Sequence, residues 1–240
     1  MNLAFYNAVV GAQQQQKRFD IISNNISNIN TDGYRNQKAT FTDMLYSNIH
    51  DRPKNVTDLT VGSSARVEKT DVDFSQGLTS ETGWKYDFAI KGSGFFAVYN
   101  YEQKKISYTR KGNFSLSKFG DENTFYLQTD NGEFVLDAEG QSIQVDPSNE
   151  DQKLAPGIYD FINYQGMTGI GDELYQPSKK NGQPYVNEEA ELLSGYLEKS
   201  NSSFANEMTE VIKAQRSYQA ELRMISTADQ IIQTVNSLRG

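Results

Sequence analysis

The stretch "SNSSFANEMTEVIKAQRSYQAELRMISTADQIIQTVNSLRG", residues 200–240, decides the fold class. Counting back to Leu197, the residues Leu197, Phe204, Val211, Tyr218, Ile225 and Ile232 follow one another at seven-residue spacing, and all are apolar or aromatic. Met208, Ala214, Leu222, Ala228 and Val235 fall between them near the second core position, shifting by one from repeat to repeat. From Asn201 to Leu238 there is neither Pro nor Gly, and a Ser/Asn cluster of capping type opens the run. This is a heptad seam, the pattern that winds one helix on another. At 1.5 Å per residue the predicted helix is roughly 55 Å long.

The other end of the chain repeats the pattern in weaker form. Phe5, Ala12, Phe19 and Ile26 stand in sevens, with Ala8, Ile22 and Ile29 three residues after the first, third and fourth, and Gln15 interrupts within a run of four Gln. A helix with one apolar seam is marginal alone in water. Each large side chain contributes only about 1.5–3 kcal/mol when buried, and then only against a partner. The two ends are therefore expected to gain order by docking on each other or on further copies of the chain. The pairs Lys213/Arg216 and Glu207/Glu210 lie off the predicted seam, where they either set register between helices or are simply solvated.

Between about residues 56 and 175 the sequence changes to short aromatic and β-branched runs broken by Gly, Asn and Asp. Residues 87–100, 105–117, 124–137 and 140–145 read as strands, with Asp130-Asn131-Gly132 as a hairpin turn and Asn181-Gly182 as another. The expected class is α+β: discontinuous terminal coiled-coil helices (residues 1–48 and 197–240) and a central antiparallel β domain with linking segments (49–196). "GSGFFA" (92–97) has the letters of a dinucleotide fingerprint, but strand residues follow where a helix N-terminus is required. Its glycines are read as a bulge or a close approach of backbones.

Composition narrows the function. There is no Cys and one His, His50, read as a solvated surface residue. Thiolate chemistry and multi-His metal sites are thereby excluded. The net charge of −8 argues against nucleic acid or an anionic membrane as the main partner. Residues 1–48 carry +1 and residues 197–240 are neutral, which leaves −9 on residues 49–196. Asp71/Asp73, Asp121/Glu122 and Glu188/Glu189 are read as a solvated acidic surface, and the many Tyr and Phe as cross-strand packing. No cofactor or metal is expected. No run has the length of a membrane span, and the first twenty residues lack the shape of a cleaved signal, so internal residence or export by another route is expected.

One short segment raises a sharper question. "NNISNINTDGYR" (24–35) gathers Asn24, Asn25, Asn28 and Asn30 before Thr31, Gly33, Tyr34 and Arg35, and it resembles the N-terminal signature of the bacterial flagellar axial proteins. Residues 195–238 are similar to the C-terminal signature through Gly195, Leu197, Glu198, Ser200, Asn201, Glu207, Met208, Gln215, Arg216, Tyr218, Gln219, Ala220, Thr227, Ala228 and Asp229. "FAIKGSGFFAV" (88–98) and "YTRKGNFSL" (108–116) are similar to stretches of the rod and hook subgroup. Ser202-Ser203 and Tyr34-Arg35 depart modestly from the commoner pattern, and the short central region looks more like a rod protein than a hook protein.

The resemblance implies a non-enzymatic structural subunit of the flagellar basal-body rod. Such a subunit is exported through the type III apparatus without a cleaved signal and polymerises with itself and with neighbouring rod or hook proteins into a hollow shaft that transmits torque. No nucleic acid or direct membrane insertion is implied. Residues 24–35 would fix the exit angle of the chain, with Asn and Thr satisfying helix-end backbone groups and Gly33 taking a positive φ. The expected assembly residues are Asn24, Asn25, Asn28, Asn30, Thr31, Gly33, Phe204, Met208, Val211, Gln215, Tyr218, Leu222, Ile225 and Ile232. The alternatives are a hook-type axial protein, a ligand-binding β domain on a coiled-coil stalk, or an enzyme using carboxylates.

Overall fold

The computed structural model describes residues 3–43, 46–48, 60–62, 65–119, 124–146, 149 and 152–238. His50, the Asp121/Glu122 pair and Arg239-Gly240 lie outside the described residues. The class is α+β, as expected, with a helix near each end and antiparallel strands between. The chain forms two compact units: residues 1–27, 37–73 and 203–240, and residues 28–36 and 74–202. Residues 28–36 and 197–202, expected with the helices, fall in the second unit, and 49–73, expected with the β region, in the first.

In the first unit α1 (Leu3–Ser27) pairs with α2 (Phe204–Ser237). The direction is antiparallel: Asn25 meets Glu207 near one end, Phe19 stacks edge-on against Tyr218 at 6.5 Å, and Gly11 lies against Glu221. Arg18 forms an ion pair with Glu210, which also holds Lys213. Beyond Ala228 every described residue of α2 is exposed. Strand Gln37–Asp43 pairs with Ala65–Val72 through one bulge at Thr40/Phe41, and Tyr46–Asn48 pairs with Thr60–Gly62. Thr40 donates to Asp71 and Lys38 pairs with Asp73.

The predicted seam needs correction along one of its two rows. Val211, Tyr218 and Ile225 are half-buried, as a first row should be, but the second row runs Glu207, Ala214, Glu221, Ala228 at an unbroken spacing of seven. Met208 and Leu222 stand one residue off that row, the first half-buried and the second exposed, and Val235, which continues the row at the next seven, is exposed. Phe204 and Ile232, at the ends of the first row, are also exposed, as is Gln215. One residue of a helix turns the side chain by about 100°, so a shifting second position cannot stay on one seam. The helix also carries Ile212, Met224 and Ile231 outward, which makes its apolar surface wider than a two-position stripe.

In the second unit the main sheet runs, strand by strand, Gln144–Val145, Phe125–Gln128, Phe134–Val135, Phe95–Asn100, Lys105–Thr109, Leu174–Gln176, Thr168–Gly171, all pairs antiparallel. Ile158–Asp160 adds to Phe95–Asn100, and Ser115–Lys118 adds to Phe125–Gln128. Glu191–Ser194 pairs with Phe88–Lys91, and Tyr196–Glu198 with Thr79–Glu81. The core is Phe88, Ile90, Phe96, Val98, Leu127 and Val135 with their neighbours. The turn at Asp130-Asn131-Gly132 forms as read. Gly92 and Gly94 interrupt the predicted 87–100 strand, and a Cβ at Gly94 would lie 2.6 Å from Ile158 Cγ2, so a close approach is what the glycine permits. Phe74, Phe95, Tyr164 and Tyr175 pack ring against ring, which is where many of the aromatics go.

Candidate functional site

The Asn-rich segment begins where α1 stops. Past Ser27 the chain turns back, with the Thr31 amide and hydroxyl donating to the Asn28 backbone carbonyl and Oδ1, both at 3.2 Å. Asn and Thr are chosen at such turns because their short side chains complete bonds that the ending backbone ladder leaves open. Gly33 adopts φ +72° and donates its amide to the Glu198 carbonyl at 2.7 Å. A Cβ there would sit 2.5 Å from the Lys111 backbone nitrogen, so both dihedral and space demand glycine.

Asn25 is fully buried in the first unit and acts as a section of strand. Its Oδ1 accepts the Gln37 amide at 3.0 Å, and its Nδ2 donates to the Gln37 carbonyl at 2.9 Å. The same Nδ2 reaches Glu207 Oε2 at 3.3 Å. One primary amide thus satisfies both backbone groups of Gln37 and a buried carboxylate on α2, a combination neither Asp nor Ala could supply. Asn24 and Asn30 are exposed.

The second unit holds a buried charge cluster. Glu198 Oε1 accepts Arg35 Nη2 at 2.7 Å and the Gly77 amide at 2.7 Å, while Oε2 accepts Arg110 Nη1 at 3.1 Å. Arg110 also donates to the carbonyls of Gly92 and Ile90 and lies over the Phe95 ring. Arg35, Arg110 and Glu198 are each at most 4% exposed. Burial, helped by the neighbouring Arg35 charge, lowers the Arg110 guanidinium below its ordinary pKa, with Glu198 opposing the shift. Asn201 repeats the strand-mimicking arrangement nearby: Oδ1 accepts the Asn36 amide at 2.7 Å and Nδ2 donates to the Ser75 carbonyl at 3.0 Å. Lys199 pairs with Asp32 at the surface.

These bonds fall where the chain changes unit, after residues 27, 36, 73 and 202. Within the second unit Glu198 and Asn201 tie 33–36, 75–77 and 110 to the 196–201 segment. Within the first, Asn25 ties the end of α1 to residue 37 and to α2. Sequence reasoning found Asn25, Asn28, Thr31 and Gly33, and quoted Arg35, Glu198 and Asn201 without giving them a role. Arg110 and Gly77 were not recognised. Glu207, read as off the seam, is buried within it. A buried bond between residues 163 apart, such as Arg35 to Glu198, leaves no local periodicity to read.

The clusters are buried networks of amides, guanidinium groups and the carboxylates of Glu198 and Glu207. Among the described residues no three of His, Cys, Asp or Glu converge as a metal site, and no helix is long and apolar enough to cross a membrane.

Three family models match in chain order. "Flagella basal body rod protein" covers residues 5–35, "Flagellar hook protein FlgE/F/G D1 domain" residues 89–155, and "Flagellar basal body rod FlgEFG protein C-terminal" residues 193–238. The flagellar basal-body rod protein FlgG of Buchnera aphidicola subsp. Baizongia pistaciae is 30% identical over 258 residues, covering 98% of this chain and 99% of that protein. FlgG of Bacillus subtilis is 31% identical over 98% of each chain. The rod protein FlgF of Mesorhizobium japonicum is 28% identical over 99% of each. With both terminal segments and the β region matched in one order over nearly their full lengths, the chain belongs to the flagellar basal-body rod protein family.

Proposed function

We propose that the chain is a structural, non-catalytic subunit of the flagellar basal-body rod, of the FlgG kind, that assembles through its terminal helices with further copies and with neighbouring rod or hook proteins. The observation that carries this beyond family membership is the exposed apolar surface of α2. Phe204, Ile212, Leu222, Met224, Ile231, Ile232 and Val235 on the helix, and Leu238 just past its end, are exposed large apolar residues. That is more apolar surface than a helix needs when it pairs with α1 alone. Heterologous contacts that do not close on themselves build filaments, and repetition of such a helix face generates a shaft. Export by the type III apparatus without a cleaved signal fits the same reading, as does location in the basal body.

The test is the double variant Leu222→Lys/Ile232→Lys. Both side chains are exposed, so the variant is expected to keep the circular dichroism and melting temperature of the original. It is expected to form no rods in vitro and to restore no motility in cells lacking the gene. Electron microscopy of those cells should show axial structures ending within the basal body. Rods of normal length from the double variant would overturn the assembly face.

A further inference from the structure

The chain contains two Asn-Gly pairs, Asn131-Gly132 and Asn181-Gly182, and the fold treats them in opposite ways. In such a pair the backbone nitrogen that follows the Asn is open to approach by the side-chain amide, because glycine carries no Cβ to obstruct it. Both glycines have φ +81°, so their backbone does not distinguish them. The surroundings of the two asparagines do.

Asn181 is locked. It is fully buried, its Oδ1 accepts the Ser178 amide at 2.7 Å and the Ser178 hydroxyl at 2.9 Å, and its Nδ2 donates to the Asn163 carbonyl at 2.7 Å. Turning this amide toward Gly182 breaks three hydrogen bonds and strands buried polar groups.

Asn131 stands at the tip of the hairpin between Phe125–Gln128 and Phe134–Val135, and it is exposed. Among the described residues its side chain has no hydrogen-bond partner. The bonds of the tip belong to the backbone: the Gly132 amide donates to the Thr129 carbonyl and the Thr129 amide to the Glu133 carbonyl, both at 2.9 Å. Only the first has to open for the Gly132 nitrogen to react. A Cβ at Gly132 would meet nothing within 4 Å, so the tip has room to rearrange.

We propose that Asn131 is a site of spontaneous modification, converted in the folded chain to aspartate and isoaspartate with water as the co-reactant. The Gly132 amide nitrogen gives up its proton and attacks Asn131 Cγ. The Cγ–Nδ2 bond breaks and the side-chain nitrogen leaves as ammonia with that proton, which closes a five-membered imide. Water then opens the imide at Cγ to give Asp, or at the Asn131 carbonyl carbon to give isoAsp, whose backbone runs through the side chain and is longer by one methylene. One water is consumed and one ammonia released, and nothing is oxidised or reduced. Either product adds a carboxylate next to Asp130 and takes the formal net charge from −8 to −9. The change accumulates with the age of the chain and is independent of the assembly face.

The test is peptide mapping by mass spectrometry of the full chain, held for several weeks at physiological temperature and pH, once folded and once in guanidinium chloride. In the folded chain residue 131 is expected to become a mixture of Asp and isoAsp, the isoAsp identified by methylation with protein-isoaspartate methyltransferase. Asn181 is expected to react roughly tenfold more slowly, or less. In denaturant the lock on Asn181 is gone, and the two pairs are expected to react at comparable rates. An Asn131 that stays intact in the folded chain while it reacts in denaturant would overturn the proposal. So would an Asn181 that reacts as fast as Asn131 in the folded chain, since the reaction would then run through global unfolding and not through the exposed tip.

Discussion

Glu198 receives Arg35 at 2.7 Å with both side chains fully buried, although 163 residues separate them in the chain. Arg110 shares the same carboxylate, so two buried guanidinium groups depend on one anion. Among the described residues the Nε and Nη1 of Arg35 and the Nε of Arg110 have no hydrogen-bond partner. The cluster is therefore costly to bury and more costly to break. Glu198→Gln is expected to lower unfolding free energy by about 3–5 kcal/mol, because the two cations lose their counter-charge. Chemical denaturation checks this, and a loss below about 1 kcal/mol would show that water reaches the site.

How much of this could be read from sequence depends on the range of the interaction. Seven-residue spacing placed Val211, Tyr218 and Ile225 on the helix seam, and Asn131-Gly132 placed a turn, because each is set within a few residues. The second seam row was misread since Leu222 looks like a core residue while Glu221, one position earlier, does not. Glu207 sits in the seam where Asn25 meets it from the other end of the chain. The burial of Arg35 and Arg110 depends on Glu198 in the same way. Such dependence across the whole chain has no signature in spacing, and the family resemblance marked several of these positions without giving their physics.

Gly33 and Gly83 separate two reasons for a glycine. Both have φ +72°, yet nothing lies within 4 Å of a Cβ at Gly83, while one at Gly33 would press on the Lys111 and Arg110 backbone. Gly83→Ala is expected to cost about 1–2 kcal/mol, the dihedral alone. Gly33→Ala should cost clearly more, and Gly33→Asn, which tolerates the dihedral, should not restore it. Equal losses at the two positions in urea unfolding would remove the close approach as the cause.

Two tyrosines on the second unit predict its alkaline limit. Burial, with Tyr159 adding, pushes the Tyr108 hydroxyl up to about 12, and burial together with the hydrogen bond to Asp160 pushes Tyr164 up to about 12. An unfolded Tyr ionises near pH 10. The folded state therefore holds these protons longer, and their contribution is complete below pH 10 and lost as pH rises through 12. Unfolding free energy should fall across that window, with part of the tyrosinate absorbance appearing only as the fold is lost. Tyr108→Phe should flatten the decline. A full tyrosinate signal at pH 11 from a chain that is still folded would contradict the assignment.

Asn25→Asp tests whether the amide is needed as a donor as well as an acceptor. The Asp keeps one oxygen for the Gln37 amide, but its second oxygen then faces the Gln37 carbonyl and the Glu207 carboxylate, where Nδ2 donates in the original chain. Only the protonated acid can donate there, so burial and Glu207 must raise its pKa above the unfolded value near 4. The contribution of a group with a raised pKa is present below the unfolded pKa and lost as pH climbs through the folded one. The variant should therefore approach the original chain in stability near pH 4 and fall behind it by about 2 kcal/mol or more at pH 7. Melting both proteins across that range decides it, and a gap that does not vary with pH would mean that Nδ2 carries no bond of consequence. Asn25→Leu, unable to charge, should be destabilised equally at both ends of the range.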